Sequence, residues 1–454
     1  MTTHQLNPIK KLLLIFCLLI SSTVWGNPLQ SYAERTESNY RWNQTKFSRE
    51  SWGTIGYYEL ISQNWRGHSW KHHLVIVRPT TIRNPDIAFL RISGDGNGEK
   101  HINSLRKLAE QGGAIATVLM NVPNQPLYQN RREDTLIAYT FNQYLKTGDE
   151  TWPLLFPMVK SAIKAMDSIQ KIVKLKHDQK INRFVLSGAS KRGWTTWLAA
   201  AVDKRIAAIA PMVIDTLNMK AQLQWSEQVY GKQSSKIKDY TELNLHRKMD
   251  NKAMQQLRNW VDPYTYIQRY TMPKLLLLGT NDPYWTVDSL RHYWNKLPEP
   301  KLIYQTPNAG HNLNGGAQAL QTLAAFFELV ADQKPLPKID WQFNKVGNSH
   351  INAQVKVNQH ARNIRIWNAY SDDRDFRDNK WITQTLNIAE GSSHATTSIS
   401  TPKSGYQASL IEIELQTDSG HDFKLSTSVQ VTPDTEPCHC WNTEKNKVSK
   451  PTTE

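Results

Sequence analysis

Ser190 sits between Gly188-Ala189 and Lys191-Arg192-Gly193. It directly follows the apolar run Arg183-Phe184-Val185-Leu186 and precedes a helical pattern from Trp194 to Val202. A serine on a tight strand-to-helix turn stands its hydroxyl clear of a sheet, where it can attack a carbonyl. Small neighbours are needed because the turn brings backbones close. The usual spacing is G-x-S-x-G; here the second glycine falls one place late, at Gly193. The plainer reading is a Gly/Ser loop in which Ser190 only caps the helix.

A serine needs a base, and the base needs an orienting acid, which in such folds follow in the order Ser, Asp/Glu, His. Asp282 lies in Gly279-Thr280-Asn281-Asp282-Pro283, just past the apolar strand Lys274 to Leu278. Asp288 competes, but it directly precedes a helix start at Ser289, so N-capping explains it better. His311 lies in Asn308-Ala309-Gly310-His311-Asn312, past the strand Leu302 to Gln305 and before the last helix. The expected chemistry is nucleophilic attack by Ser190, with His311 as base and Asp282 holding its ring. The oxyanion would take the Lys191 N–H and a second donor near Asp95 or Gly96. The Gly94 to Gly98 loop fits neither a dinucleotide fingerprint nor a P-loop, because position 99 is Glu. Lys191 and Arg192 either add positive charge near the site or are solvated charges on a helix turn.

The elements that must position these groups alternate. Strand patterns at Tyr57–Ile61, His73–Val77, Ile87–Ile92, Ala114–Met120, Arg183–Leu186, Ile206–Ile214, Lys274–Leu278 and Leu302–Gln305 are interleaved with helical patterns. The helices are expected over Asn103–Gln111, Trp152–Lys174, Trp194–Val202 and Ala317–Ala331. Such alternation predicts an α/β domain over 27–335, with a largely parallel, doubly covered sheet. Residues 216–270 read as a helical cap insertion, with Trp225, Tyr230, Tyr240 and Trp260 as candidate pocket walls. Beyond Lys334-Pro335-Leu336-Pro337 the pattern changes to short runs at Ile351–Val357, Ile364–Trp367, Trp381–Ile388, Ala408–Leu415 and Phe423–Val431. These predict a β-sandwich of immunoglobulin-like size over 336–436. Residues 437–454 are Lys-, Thr- and Glu-rich and are expected to be a disordered tail.

The first 26 residues have the form of a secretory signal peptide: Lys10-Lys11, the apolar run Leu12 to Ile20, then Val24-Trp25-Gly26. The run is shorter than the about 20 residues that span a bilayer, so a soluble exported protein without stable membrane insertion is expected, periplasmic or secreted. Cleavage would leave Cys438 and Cys440, which rules out a disulfide scaffold; a strained local bridge or a Cys-His-Cys metal site are the readings of that pair. No metal and no cofactor are expected at the active site. The 39% hydrophobic content excludes wholesale disorder. The net charge is +15, but the basic residues are scattered among acidic ones and no nucleic-acid motif accompanies them.

Several blocks resemble the PhoPQ-activated pathogenicity-related protein family. They are Asn121 to Leu127, Arg132-Glu133-Asp134 with Ala138-Tyr139-Thr140, Trp152-Pro153 with Pro157 to Lys160, Met166-Asp167, Gly188 to Trp194, Asp262-Pro263-Tyr264, Gly279 to Trp285, and Asp375-Phe376-Arg377 before Trp381. The resemblance covers about 50 to 435. It implies an α/β-hydrolase-like domain with a C-terminal β domain, exported in bacteria, and a name that records regulation and virulence rather than a reaction. The elbow also looks like that of dipeptidyl-peptidase-type serine peptidases and of glucuronoyl esterases. The latter carry Arg directly after the nucleophile, where this chain has Lys191. Glu133 and Asp134 sit in a family block and read either as a recognition site for a cationic group or as structural ion pairs. The block from Asp375 to Trp381 reads as a domain-interface feature.

The leading expectation is therefore an exported serine hydrolase acting on a small-molecule, peptide or saccharide substrate, an esterase or a peptidase. The alternative is a non-catalytic binding or signalling protein on the same fold. A polysaccharide esterase that uses the sandwich as a sugar-binding module is a third reading.

Overall fold

The computed structural model describes residues 27–386 and 392–437. The expected signal segment 1–26, the pair Cys438 and Cys440, and all but the first residue of the expected tail lie outside them.

Nine strands form one mixed sheet: β1 (Arg41–Glu50), β2 (Gly53–Trp65), β3 (His68–Pro79), β4 (Ile87–Ile92), β5 (Ile115–Leu119), β6 (Arg183–Ala189), β7 (Ile206–Met212), β8 (Lys274–Gly279) and β9 (Lys301–Thr306). Their order is β1-β2-β3-β5-β4-β6-β7-β8-β9. The pairs from β1 to β5 through β2 and β3 are antiparallel. From β5 onward every pair is parallel.

Both faces of the parallel part, β4 to β9, are buried, which is why those strands read as unbroken apolar runs. Along β8, Leu276 and Leu278 enter one core while Leu275 and Leu277 enter another. The first core is closed by the helices Leu155–His177 and Lys191–Val202, and the second by Ile102–Gly112 and Ala317–Ala331. The helix Lys191–Val202 ends in Ala199-Ala200-Ala201, whose small side chains let it lie close against the sheet.

Two further sheets follow. One is built of β10 (Ile339–Val346), β11 (His350–Val357) and β14 (His394–Ser400). The other contains β12 (Asn363–Ser371), β13 (Ile382–Thr385), β15 (Tyr406–Gln416), β16 (Asp422–Ser426) and β17 (Gln430–Thr432). Ile351 and Val355 of the first meet Ile364, Ile411 and Leu425 of the second in one shared core, so the two form a sandwich. The same core continues into Phe326 and Phe327, so the sandwich packs on the sheet domain through the last helix.

The expected strand Phe423–Val431 is two strands, broken at Thr427-Ser428-Val429. Thr427 bonds back to Ile411 through both its amide and its hydroxyl, and Val429 N–H turns to Gln305 Oε1 at 3.1 Å. The expected strand Trp381–Ile388 is shorter, Ile382–Thr385, because Trp381 is turned away to bond Asn308; Ile388 lies outside the described residues.

Candidate active site

Loops at the carboxyl ends of β6, β8 and β9 carry Ser190, Asp282 and His311. Ser190 begins the helix Lys191–Val202 with φ +57° and ψ −128°. A non-glycine residue held there stores about 1–3 kcal/mol of strain. The neighbours enforce it: Ser190 N–H donates to Met212 O at 2.9 Å. A Cβ at Gly188 would lie 2.5 Å from Arg192 O, and one at Gly193 would lie 2.5 Å from Ile214 Cγ2 and 2.9 Å from Gly188 O. The close approach to β7 is thus made by residue 193 and not 192, which explains the displaced glycine. The Lys191 N–H is the first of its helix and has no acceptor within it.

Asp282 is 6% exposed. Its Oδ2 is 2.8 Å from His311 Nδ1, and its Oδ1 accepts the Tyr284 N–H at 3.0 Å. The two loops are stitched together to make that meeting possible. Asn281 N–H donates to Ala309 O at 3.0 Å and Asn308 N–H to Thr280 Oγ1 at 3.0 Å; a Cβ on Gly279 would strike Ala309 O. The Tyr284 ring lies on His311, with centroids 4.3 Å apart. Tyr284 and Ser190 line one cavity. Among the described residues, neither Ser190 Oγ nor His311 Nε2 has a hydrogen-bond partner; such bonds commonly close only around a substrate.

Asp288 has a different task. The capping expected of it is absent. Its Oδ2 instead pairs with Arg374 at 3.0 Å and Arg291 at 2.9 Å, and its Oδ1 accepts Trp225 Nε1 at 3.0 Å. This buried cluster bolts the 216–270 insertion and the sandwich to the loop after β8. Burial alone would raise its pKa, but Arg374, Trp225 and Arg291 hold it below the ordinary carboxylate range.

Lys191 and Arg192 are not solvated: their side chains are 8% and 11% exposed. Lys191 Nζ reaches Glu133 at 2.8 Å and Asp134 at 3.0 Å, while Arg192 grips Glu133 with both terminal nitrogens at 2.6 and 2.7 Å. Burial opposes ionisation of Glu133, but Arg192 and Lys191 outweigh it and hold the carboxyl at about 2. Asp134 also accepts from Tyr240 at 3.0 Å. The four residues neutralise one another, so the ion-pair reading of Glu133 and Asp134 describes their present partners. Asp95 pairs with Arg132 at 2.7 Å. The Gly96 N–H donates to Asn121 Oδ1 at 3.1 Å.

The 216–270 segment contains the helices Met219–Tyr230, Lys238–Thr241 and Lys252–Val261. Its base is clamped by Asp262, which accepts from the N–H groups of Asn218, Met219 and Tyr264 at 3.1, 2.8 and 2.9 Å. Between it and the elbow lies a cavity of about 130 Å³. Of the four aromatics expected as walls, only Tyr240 lines it. Trp225 is held in the Asp288 cluster, Tyr230 lies under Arg377, and Trp260 packs on Tyr144 and Phe156.

One buried acid escaped sequence reading. Asp215, just past β7, has an Oδ1 with no partner. Burial, opposed by Tyr293 and reinforced by the charges of Asp282 and Asp288, pushes it up to about 7. No spacing signal marks it; only the position after a parallel strand does. Among the described residues no three His, Cys, Asp or Glu side chains are grouped to hold a metal.

The family model for the PhoPQ-activated pathogenicity-related protein matches residues 29–377. The chain belongs to that family. This PhoPQ-activated pathogenicity-related family member is also 29% identical, over 471 residues and 94% of each chain, to "Autocrine proliferation repressor protein A" of Dictyostelium discoideum. Among solved structures it is similar to an acetyl xylan esterase from Paenibacillus sp. R4, with TM-score 0.49, 14% identity, and 66% of this chain and 92% of that one covered. It is similar too to acetyl xylan esterase 1 from Thermoanaerobacterium sp. JW/SL YS485, with TM-score 0.45, 16% identity, and 67% and 93% covered. Among the described residues no helix is long and apolar enough to cross a membrane.

Proposed function

We propose that this chain is an exported serine hydrolase on an α/β-hydrolase-like domain, cleaving an ester or amide bond at Ser190. The observation that carries the reading is the Asp282–His311 pair, 2.8 Å apart, at the same sheet edge as a strained serine elbow. His311 takes the Ser190 proton as Oγ attacks the carbonyl, and gives it to the leaving group. Water then attacks the acyl-enzyme with His311 again as base, which frees the acid and restores Ser190. Asp282 fixes the ring tautomer and stabilises the imidazolium. The Lys191 N–H and the Asp95 N–H stabilise the oxyanion; Gly96 is left out because its N–H serves Asn121. The division into a catalytic domain over 27–335 and an immunoglobulin-like sandwich over 336–436 is part of the same reading, with the sandwich bracing the site rather than binding sugar.

A screen of p-nitrophenyl esters and aminoacyl amides tests the activity, with turnover expected in wild type and lost in Ser190→Ala. Export predicts a mature protein whose mass begins at Asn27. A second reading is favoured by the printed name of the Dictyostelium relative, a proliferation repressor: an exported signalling protein on the same fold. It predicts no turnover of any ester or amide.

A further inference from the structure

The cavity between Ser190 and the 216–270 segment has two kinds of wall. Met219, Met249, Met254 and Leu257 make it apolar, and methionines adapt to the shape of what they touch. Polar atoms buried in such a wall are costly unless paired. Four side chains of the lining nevertheless each keep one buried polar atom unpartnered: Gln233 Oε1, His246 Nδ1, Arg258 Nε and Trp285 Nε1. Two of these side chains are already anchored by another atom. Gln233 Nε2 donates to Leu223 O at 2.7 Å and Arg258 Nη2 to Met249 O at 3.2 Å. Those anchors fix both side chains, so the orphaned atoms cannot escape by rotation. Arg258 makes no salt bridge among the described residues, whereas Lys191 and Arg192 are neutralised by Glu133 and Asp134. Arg258 is half-buried, and Asp262 feels its charge without bonding it; a cation at an apolar wall with no direct ion pair is a site for an anion or a strong acceptor.

We propose that this cavity holds an apolar acyl chain whose far end carries a carboxylate, with Arg258 as its counter-ion. The placement of the acyl carbonyl at Ser190 rests on the hydrolase reading above. The apolar walls take the methylenes, and the Arg258 guanidinium pairs with the terminal carboxylate. About 130 Å³ of open space holds about four water-sized groups at their liquid share of about 30 Å³ each, more than an acetyl group fills.

The test compares p-nitrophenyl acetate, p-nitrophenyl hexanoate and mono-p-nitrophenyl adipate, the last two having equal chain length. The kcat/KM values should rise in that order, by at least tenfold at each step. In Arg258→Met the adipate-to-hexanoate ratio should fall to one or below, and Arg258→Lys should recover part of it. A wild-type enzyme that prefers acetate, or hexanoate over the adipate ester, overturns the inference without any variant. Calorimetric titration of Ser190→Ala with monomethyl adipate separates the two readings. Binding with no turnover of any ester in wild type would sink the hydrolase and keep the cavity assignment. Acetate turnover with no binding would do the reverse.

Discussion

Asn308, in the loop after β9, and Trp381, just before β13, exchange two hydrogen bonds, Nδ2 to the tryptophan carbonyl at 2.9 Å and the tryptophan N–H to Oδ1 at 2.7 Å. Asn308 lies three residues before His311. One residue before Asp282, Asn281 Nδ2 donates to the carbonyls of Phe376, Arg377 and Asn379 at 3.2, 3.1 and 2.7 Å. A single sandwich loop thus braces both the acid loop and the histidine loop. A misplacement of 1 Å can cost about 100-fold in rate, so Asn308→Ala should lower kcat by about 10- to 100-fold. KM should change little, because neither residue lines the cavity. Steady-state kinetics on the best ester, with circular dichroism to confirm the fold, checks this.

Asp282 and Asp288 should fail in opposite ways. Asp282→Asn keeps the shape but supplies the wrong hydrogen-bonding partner to His311, and kcat should fall by about 10⁴ with little change in thermal midpoint. Asp288→Ala takes the buried carboxylate from Arg374, Arg291 and Trp225 and leaves Arg374 only the more exposed Asp434, which costs up to about 3–5 kcal/mol. Its thermal midpoint should fall steeply, while enzyme that remains folded keeps most of its activity. Thermal unfolding and kinetics on the two variants side by side decide the assignment.

The strain at Ser190 predicts a stability–activity trade. Glycine adopts φ +57°, ψ −128° at less cost than serine. Ser190→Gly should therefore unfold later by about 1 kcal/mol in urea while losing all turnover. A destabilised glycine variant would show that the elbow is relaxed.

Much of this was legible in the sequence, for physical reasons. Parallel strands buried on both faces read as continuous apolar runs, and the elbow needs glycines that only 188 and 193 supply. Other features were hidden. The helix Glu133–Thr147 had a usable signal in Ile137, Phe141 and Tyr144 at i, i+4 and i+7, masked by the polar residues between them. The role of Asp288 depends on Arg374 and Asp434, far along the chain and beyond local pattern. The strand β1 was hidden because its residues are mostly exposed and carry no apolar alternation. The cap's aromatics suggested a ring-lined pocket, but three of them were spent on packing and ion clusters, and methionines took the wall.

Asp215 should impose a pH dependence on stability. In the fold it stays protonated up to about 7, whereas in the unfolded chain it ionises near its ordinary value of 3.8. Between those values the folded state binds more protons, so this group's contribution to stability falls as pH rises, by at most about 4 kcal/mol. The groups facing it are Tyr293, Asp282 and Asp288. Asp215→Asn should be more stable than wild type at pH 8 and no more stable at pH 4. Thermal midpoints across that range, with an unchanged difference at both ends, would contradict the buried neutral acid.

The central claim is that Ser190 is an activated nucleophile, and fluorophosphonate labelling of the mature protein tests it most directly. Intact mass should show one adduct in wild type and none in Ser190→Ala, with sharply slower labelling in His311→Ala. An unlabelled, folded wild type, or an adduct that survives Ser190→Ala, would contradict it.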